Sequence, residues 1–352
     1  MPDNRHPLPQ HPLRPPDGPV AHRHQAGGNR RRLLGGRRLH PAGNAHPSGE
    51  HRRRRGGRHG ALPGEGRHRR QPGPGAHGGG RAADRPGPLV SQRATESLTT
   101  EEVERRLPEQ EAFARLLLRR IERHLPLGKG ARIADVGCAA GALVLALRRE
   151  GFDALGVEPD HHARRTAAEL ARRLGEEILV LEGTAEALPL PDASCDLLLA
   201  SSVFEHVGDL EKSLREARRV LAPGGGLWFY TTSALCPRQQ EIRGFPLFGW
   251  YPLRLKRRIM RWAVRRRPEL VGGTANPALH WFTPGVTRRL LKEAGFGHVI
   301  NRWRLRLPEE GGVIYRSALK IIQTLPPARL MADILVPESA YLALVEERDD
   351  DD

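Results

Sequence analysis

The stretch from Ala131 to Pro159, ARIADVGCAAGALVLALRREGFDALGVEP, constrains the fold more than any other part of the chain. It reads as an apolar strand from Arg132 to Val136, then a small-residue turn, Gly137-Cys138-Ala139-Ala140-Gly141. A helix from about Ala142 to Arg149 follows, then a second strand at about Ala154 to Val157, with Glu158 and Pro159 at its carboxyl end. Strand, tight turn, helix, strand is the unit of a parallel sheet, because parallel neighbours need a long crossover. Alternation continues downstream. Strands are expected at Ile178 to Leu181, Cys195 to Ala200 and Gly226 to Thr231, and helices at about Asp160 to Leu174 and Leu210 to Leu221. The class is therefore α/β, a parallel sheet covered by helices on both faces.

In such a sheet, ligands bind outside the carboxyl ends of the strands, where small residues let the backbone approach. An acid after the second strand is placed to accept hydrogen bonds from a ribose diol. These two features predict an adenosine-containing ligand. The glycine spacing excludes an ordinary dinucleotide fingerprint, which would be G-x-G-x-x-G. Here Asp135, Gly137 and Gly141 make D-x-G-x-x-x-G, and an acid two residues before the first glycine repels a pyrophosphate. It suits a cationic ligand bearing an amino-acid group.

This segment resembles motif I of the class I S-adenosylmethionine (SAM) dependent methyltransferases, D-x-G-x-G-x-G, with Ala139 in place of the middle glycine. A methyl group is tolerated there if φ is negative; glycine is needed only if φ is positive. Further landmarks follow in family order. Gly183 to Pro189, GTAEALP, is similar to G-D-A-E-x-L-P, and Leu190 to Asp196 is similar to F-x-D-x-S-F-D. Ser202 to Val207, SVFEHV, matches the loop after strand four, and Glu216 to Gly225, EARRVLAPGG, matches R-V-L-K-P-G-G. Thr283-Pro284 and Leu290 to Phe296 match F-T-P and L-L-x-x-A-G-F. The landmarks span about residues 131–300 and point to the ubiquinone/menaquinone-type subgroup of small-molecule methyltransferases. The resemblance implies a Rossmann-like, mostly parallel seven-stranded sheet of order 3-2-1-4-5-7-6, its last strand (about Ala340 to Val345) inserted antiparallel beside a sixth at about His298 to Leu305.

The resemblance also implies SAM as cofactor and assigns roles. Asp135, Gly137, Cys138, Ala139 and Gly141 face or flank its methionine end, and Glu158 and Pro159 lie at the ribose. Thr184, Ala185 and Glu186 are expected near adenine; the family often has Asp where Thr184 stands, and threonine offers only its hydroxyl. Ser201 and Ser202, at the end of strand four, line the sulfonium or acceptor pocket or cap a helix. His206 is either a general base on an acceptor hydroxyl or a structural histidine. Transfer of a methyl group from a sulfonium depends on in-line placement more than on acid–base help, so a base is not required.

Charge is unevenly spread. The net charge is +16 over 352 residues, but residues 1–95 carry 19 of the 57 Lys and Arg and only five of the 41 acids. This quarter has no aromatic residue and no isoleucine, and 32 of its 95 residues are Gly or Pro. Such a composition cannot bury enough apolar surface to offset chain entropy. A disordered tail over 1–95, a polyanion-binding arm centred on Arg52 to Arg55, and upstream sequence translated from a mis-called start all fit this composition. Its ten histidines carry no fixed metal geometry, and no metal site is expected. The folded domain is expected over 96–352 with an insertion at 233–280. The three cysteines, Cys138, Cys195 and Cys236, have no metal spacing. With no apolar run long enough for a signal or a spanning helix, a reduced, cytoplasmic protein is expected.

A helix after Thr99-Thr100-Glu101-Glu102, perturbed at Pro108, is expected to present Phe113, Leu116, Leu117 and Ile121 to the sheet edge near the cofactor. Within the insertion, Trp250 to Arg267, WYPLRLKRRIMRWAVRRR, suggests a basic amphipathic helix with Leu255, Ile259, Trp262 and Val264 on its apolar face. It is either a lid that meets a membrane or an anionic substrate, or a surface helix with snorkelling arginines. Val313 to Leu325 and Ala328 to Leu335 read as helices. The first helix, the insertion and these late helices are expected to build a pocket for a lipid-like, quinone-like or glycan-linked small-molecule acceptor. The rival functions are a nucleic-acid methyltransferase tethered by the basic tail and a non-catalytic SAM-fold binding protein. The folded part holds no N-P-P-Y-type base-flipping motif, which argues against nucleic acid as its partner.

Overall fold

The computed structural model describes residues 99–239, 241–271 and 276–347. The expected tail over 1–95 and the acidic residues 349–352 lie outside the described residues. The described strands form one seven-stranded sheet in the order β3-β2-β1-β4-β5-β7-β6. They are β1 (Arg132–Val136), β2 (Asp153–Val157), β3 (Val180–Leu181), β4 (Cys195–Ser201), β5 (Leu221–Thr232), β6 (His298–Asn301) and β7 (Glu338–Leu344). β1 to β5 are mutually parallel, and β7 runs antiparallel between β5 and β6.

The central strands are apolar on both faces, as a doubly covered parallel sheet requires. Side chains of β4 alternate. Leu197 and Leu199 join a core with Leu117, Ile121, Val144 and Leu147, from α2 (Leu107–Glu122) and α3 (Ala142–Arg149). Leu198 and Ala200 join the opposite core with Leu214 and Ala217 of α5 (Leu210–Val220) and Leu291 of α7 (Pro284–Glu293). α4 (His161–Leu174), capped by the Asp160 side chain, packs on α1 (Thr100–Arg105), whose Val103 joins Leu145 and Leu170.

The first expected helix is two. α1 has a full capping box between Thr99 and Glu102, and α2 restarts with Pro108 in its first turn, where a missing N–H costs nothing. α2 buries Leu107, Ala114, Leu117, Leu118 and Ile121, with Phe113 and Leu116 half-buried. At about 1.5–3 kcal/mol per large apolar side chain, this face contributes several kcal/mol before chain entropy is counted. Phe113 lies 6.2 Å from the Trp228 ring, so this part of α2 covers the middle of the sheet, while Val103 of α1 and Leu107 of α2 pack with Ala140 of the turn after β1.

Other boundaries also differ from expectation. β3 pairs only through Gly156↔Val180 and Val157↔Leu181; Leu179 is half exposed at this edge. β6 ends at Asn301, because that side chain accepts from Trp303 N–H and Arg304 N–H and starts α8 (Arg302–Leu305). β5 begins directly at Leu221, and a register shift between Cys195 and Leu197 absorbs the Pro223-Gly224-Gly225 run.

The insertion is closed by a bridge between Ser233 and Phe282 and has its own core of Ile242, Phe248, Met260, Ala263, Val271 and Ala278. Its helix α6 (Leu253–Arg266) is rotated from the expected setting. Lys256, Met260 and Ala263 face inward, Ile259 and Val264 are half-buried, and Leu255 and Trp262 point to solvent. The Lys256 ammonium drives this: it donates to Gly249 O and stacks over the Trp281 ring at 5.1 Å, so its long stem fills the core. α9 (Val313–Thr324) and α10 (Pro326–Leu335) pack around Trp303, whose indole N–H donates to Asp333 Oδ1 at 2.7 Å.

Candidate functional site

A cavity of about 410 Å³ opens at the carboxyl ends of β1, β2 and β4. Its lining includes Gly137, Ala139, Glu158, Pro159, Thr184, Ala185, Glu186, Ser202, Val203, His206 and Asn276. A wider cleft of about 980 Å³ lies at the other end of the sheet, beside Ala131, Asp196 and Gly225. β1 is flanked by β2 on one side and β4 on the other, so the strand order reverses there. Crevices at the carboxyl ends of such a switch point are where open sheets hold ligands, so the smaller cavity is the candidate site.

The turn after β1 is stitched to the end of β2. Gly137 N–H donates to Val157 O at 2.7 Å, and Ala139 N–H donates to Glu158 Oε2 at 2.9 Å. Glu158 Oε1 accepts from Asp160 N–H at 3.0 Å. Glu158 is 8% exposed. Burial pushes its carboxyl above the usual range, partly opposed by those two N–H donors. An ionised carboxylate has about four acceptor positions, so two backbone donors leave capacity for a diol at the cavity wall.

Ala139 has φ of +49°. The condition under which alanine would be harmless therefore does not hold: the residue sits in the left-handed region, where an L side chain costs about 1–2 kcal/mol. Glycine at this point of the motif serves that backbone conformation. Gly141, the first residue before α3, has φ of +71°, and a Cβ there would lie 3.1 Å from Ile178 Cγ2. It packs toward β3 and α4 and does not line the cavity.

Three more of the expected cofactor residues also lie off the wall. Asp135 is 1% exposed, with Oδ1 in no hydrogen bond. Burial, and then the neighbouring Glu158 charge, push its carboxyl up to about 8. Cys138 is buried, its Sγ directed at Gly156, where any Cβ would collide with it; burial raises the thiol well above its ordinary value. Ser201 ends β4 and is half-buried, while Ser202, with φ of +56°, reaches the cavity and donates its N–H to Tyr230 O at 2.9 Å.

The far wall is a folded-back loop. Thr184 and Ala187 form a bridge, and Gly183 lies so close to Pro189 that a Cβ would be 2.5 Å from Pro189 Cδ. Glu186 lines the cavity, but its Oε1 accepts from Gly208 N–H at 2.8 Å, so its carboxylate clamps the loop after β4. The EARRVLAPGG segment supplies the other anchor. Glu216 accepts from Leu188 N–H at 2.9 Å, and Arg219 donates to Leu190 O at 2.8 Å and to Asp192 at 2.7 Å.

His206 Nδ1 lies 2.9 Å from Asn276 O. A carbonyl only accepts, so Nδ1 donates and Nε2 is the basic nitrogen of this tautomer. Leu279 N–H donates to Glu205 O at 2.7 Å, and His280 Nε2 meets Val207 O at 3.0 Å, so residues 276–282 are laced along the same loop. Asn276 has no sequence signal as a wall residue; only the return of the insertion brings it there. Val203 and Val207 could have been found from the SVFEHV match. Of the elements expected to build the pocket, only the insertion contributes to its lining. Among the described residues no cluster of His, Cys, Asp or Glu could hold a metal.

Residues 134–229 match the family model described as "Methyltransferase domain". Over 97 residues the chain is 38% identical to a ubiquinone biosynthesis O-methyltransferase of Azorhizobium caulinodans, covering 28% of this chain and 38% of that protein. Over 78 residues it is 44% identical to a ubiquinone/menaquinone biosynthesis C-methyltransferase of a Caulobacter strain, covering 22% of this chain and 31% of the relative. The matches thus span little more than a third of these relatives. Among solved structures, a Haemonchus contortus phosphoethanolamine N-methyltransferase is 14% identical, with a TM-score of 0.42, and the match covers 71% of this chain and 60% of that one. The similarity to methyltransferases thus rests on residues 134–229, the segment that holds the turn after β1 and most of the strands enclosing the cavity.

Proposed function

We propose that the chain transfers a methyl group from SAM to a small-molecule acceptor in the cavity above β1 and β4. The observation that carries this reading is Glu158: a buried carboxylate at the end of β2, with acceptor capacity left at the cavity wall, tied to the motif turn through Ala139 N–H. SAM, when bound, supplies an electrophilic methyl on a sulfonium. Glu158 holds the ribose hydroxyls, Gly137 and Ala139 let the backbone approach, and Thr184 and Ala185 border the base. Asp135, beneath the turn, favours the cationic amino-acid end through the low-dielectric interior. A volume of about 410 Å³ is within the range of pockets for drug-sized ligands.

His206 Nε2 takes the proton of an acceptor hydroxyl, with Asn276 O fixing the ring by its bond to Nδ1. The names of the relatives make a quinone-like phenol the first acceptor class to try. The test is calorimetric titration of S-adenosylhomocysteine into the full chain, followed by transfer of labelled methyl to phenolic quinone precursors. Micromolar binding that Glu158→Gln weakens supports the cofactor site. No binding to a folded protein refutes it. His206→Gln should lower kcat by about 100-fold with cofactor affinity unchanged; an unchanged kcat would remove the base.

A further inference from the structure

The outward face of α6 does not serve the cavity. Arg254, Arg258, Arg261 and Arg265 follow the 4-3-4 spacing of one helical stripe and are all exposed, on the side away from Met260 and Ala263. The helix has no acidic residue. Among the described residues, none of these four arginines is within ion-pair distance of a carboxylate; Arg261 only donates to Arg257 O, at 3.3 Å. Beside this stripe lie Leu255, 43% exposed, and Trp262, 44% exposed. At the start of the helix Leu253 is 48% and Trp250 57% exposed. The Trp250 indole N–H donates to Leu235 O at 2.8 Å, which presents the ring from a fixed anchor.

Large apolar side chains left in water beside a cationic row that no described carboxylate pairs with are costly for a surface that meets only solvent. Both are stabilised at the boundary of an anionic bilayer, where arginines meet lipid phosphates and indole rings sit at headgroup depth. We infer that α6 and Trp250 form a peripheral docking surface for anionic lipid membranes. A nucleic acid would use the arginines and stack a base on Trp262, but it would leave Leu253 and Leu255 without a role, so lipid is the better match. No helix among the described residues is long and apolar enough to cross a membrane, and docking needs none. Arg257 Nε donates to Leu279 O, on the segment laced to the loop of His206, so a docked α6 would hold the catalytic end of the sheet toward the lipid.

The test is co-sedimentation of the full chain with vesicles of phosphatidylcholine, with and without about one-third phosphatidylglycerol. The basic N-terminal region is present in every variant, so the comparison isolates α6. Each arginine near an anionic surface contributes about fivefold in partitioning. Arg258→Gln/Arg265→Gln should therefore lower binding to the anionic vesicles about 25-fold, and Trp262→Ala on the order of tenfold, from lost apolar contact. All three positions are exposed, and thermal unfolding matching the wild type will show that the fold is kept. Vesicle binding equal to wild type in both variants would overturn the proposal. So would binding that falls for single-stranded RNA and not for vesicles. The readout is lipid binding, so it stands or falls apart from methyl transfer.

Discussion

Asp135→Asn tests the electrostatics of the site most directly. The carboxyl is 1% exposed, has an oxygen in no hydrogen bond, and titrates at about 8 where an unfolded aspartate titrates near 3.8. Because the folded-state value is raised, the folded chain holds a proton that the unfolded chain has released between about pH 4 and pH 8. Stability must then fall as pH rises through that window and level off above it. Each unit costs about 1.4 kcal/mol while the proton difference is complete, so the full window amounts to on the order of 5 kcal/mol. That is a large share of the roughly 5–15 kcal/mol typical of a domain. An asparagine side chain cannot titrate. The difference in unfolding free energy, Asp135→Asn variant minus wild type, should climb by about 1.4 kcal/mol per unit between about pH 5 and 7. Burying an amide adds a constant offset but no slope. Urea unfolding at several pH values measures the slope, and parallel curves across that range would refute the reasoning.

Other outcomes follow from the same geometry. The placement of Asp135 beneath the cationic end of the cofactor predicts release of up to one proton when S-adenosylhomocysteine binds near neutral pH, read by calorimetry in buffers of different ionisation enthalpy; no buffer dependence would detach Asp135 from that end. Glu158→Gln places an amide donor against Ala139 N–H or Asp160 N–H and should weaken cofactor binding by about 2–3 kcal/mol, or about 30- to 150-fold. Gly156→Ala should destabilise the fold by about 2 kcal/mol or more, because its Cβ meets Cys138 Sγ. Cys138→Ala should return part of that loss, since the next contact, Cys138 Cβ, is at 3.0 Å. Gly141→Ala should cost about 1–2 kcal/mol in denaturant unfolding for its left-handed φ of +71°.

Most of the sheet was legible in the chain because β1, β2 and β4 are apolar on both faces, and a local run of Val, Ile, Leu and Ala is the direct signature of that burial. The turn at Gly137 to Gly141 and the acid at Glu158 were legible for the same reason: they are local in sequence. The place of β7 between β5 and β6 came from resemblance, since no local signal sets the order of strands. What only the tertiary structure decided depends on partners far away along the chain. Ala139 gives no hint of its positive φ, which is imposed by bonds to Val157 and Glu158. Glu186 looks like a base-reading acid and is turned into a clamp by Gly208 N–H. α6 was set by Lys256, which periodicity places on the polar side and which packing places in the core, because its stem and ammonium fit Trp281 and Gly249 O. Periodicity ranks residues by their affinity for water. It cannot see that a long cation with a ring and a carbonyl waiting for it is better buried, nor that the face so released to solvent carries Trp262 and a row of arginines.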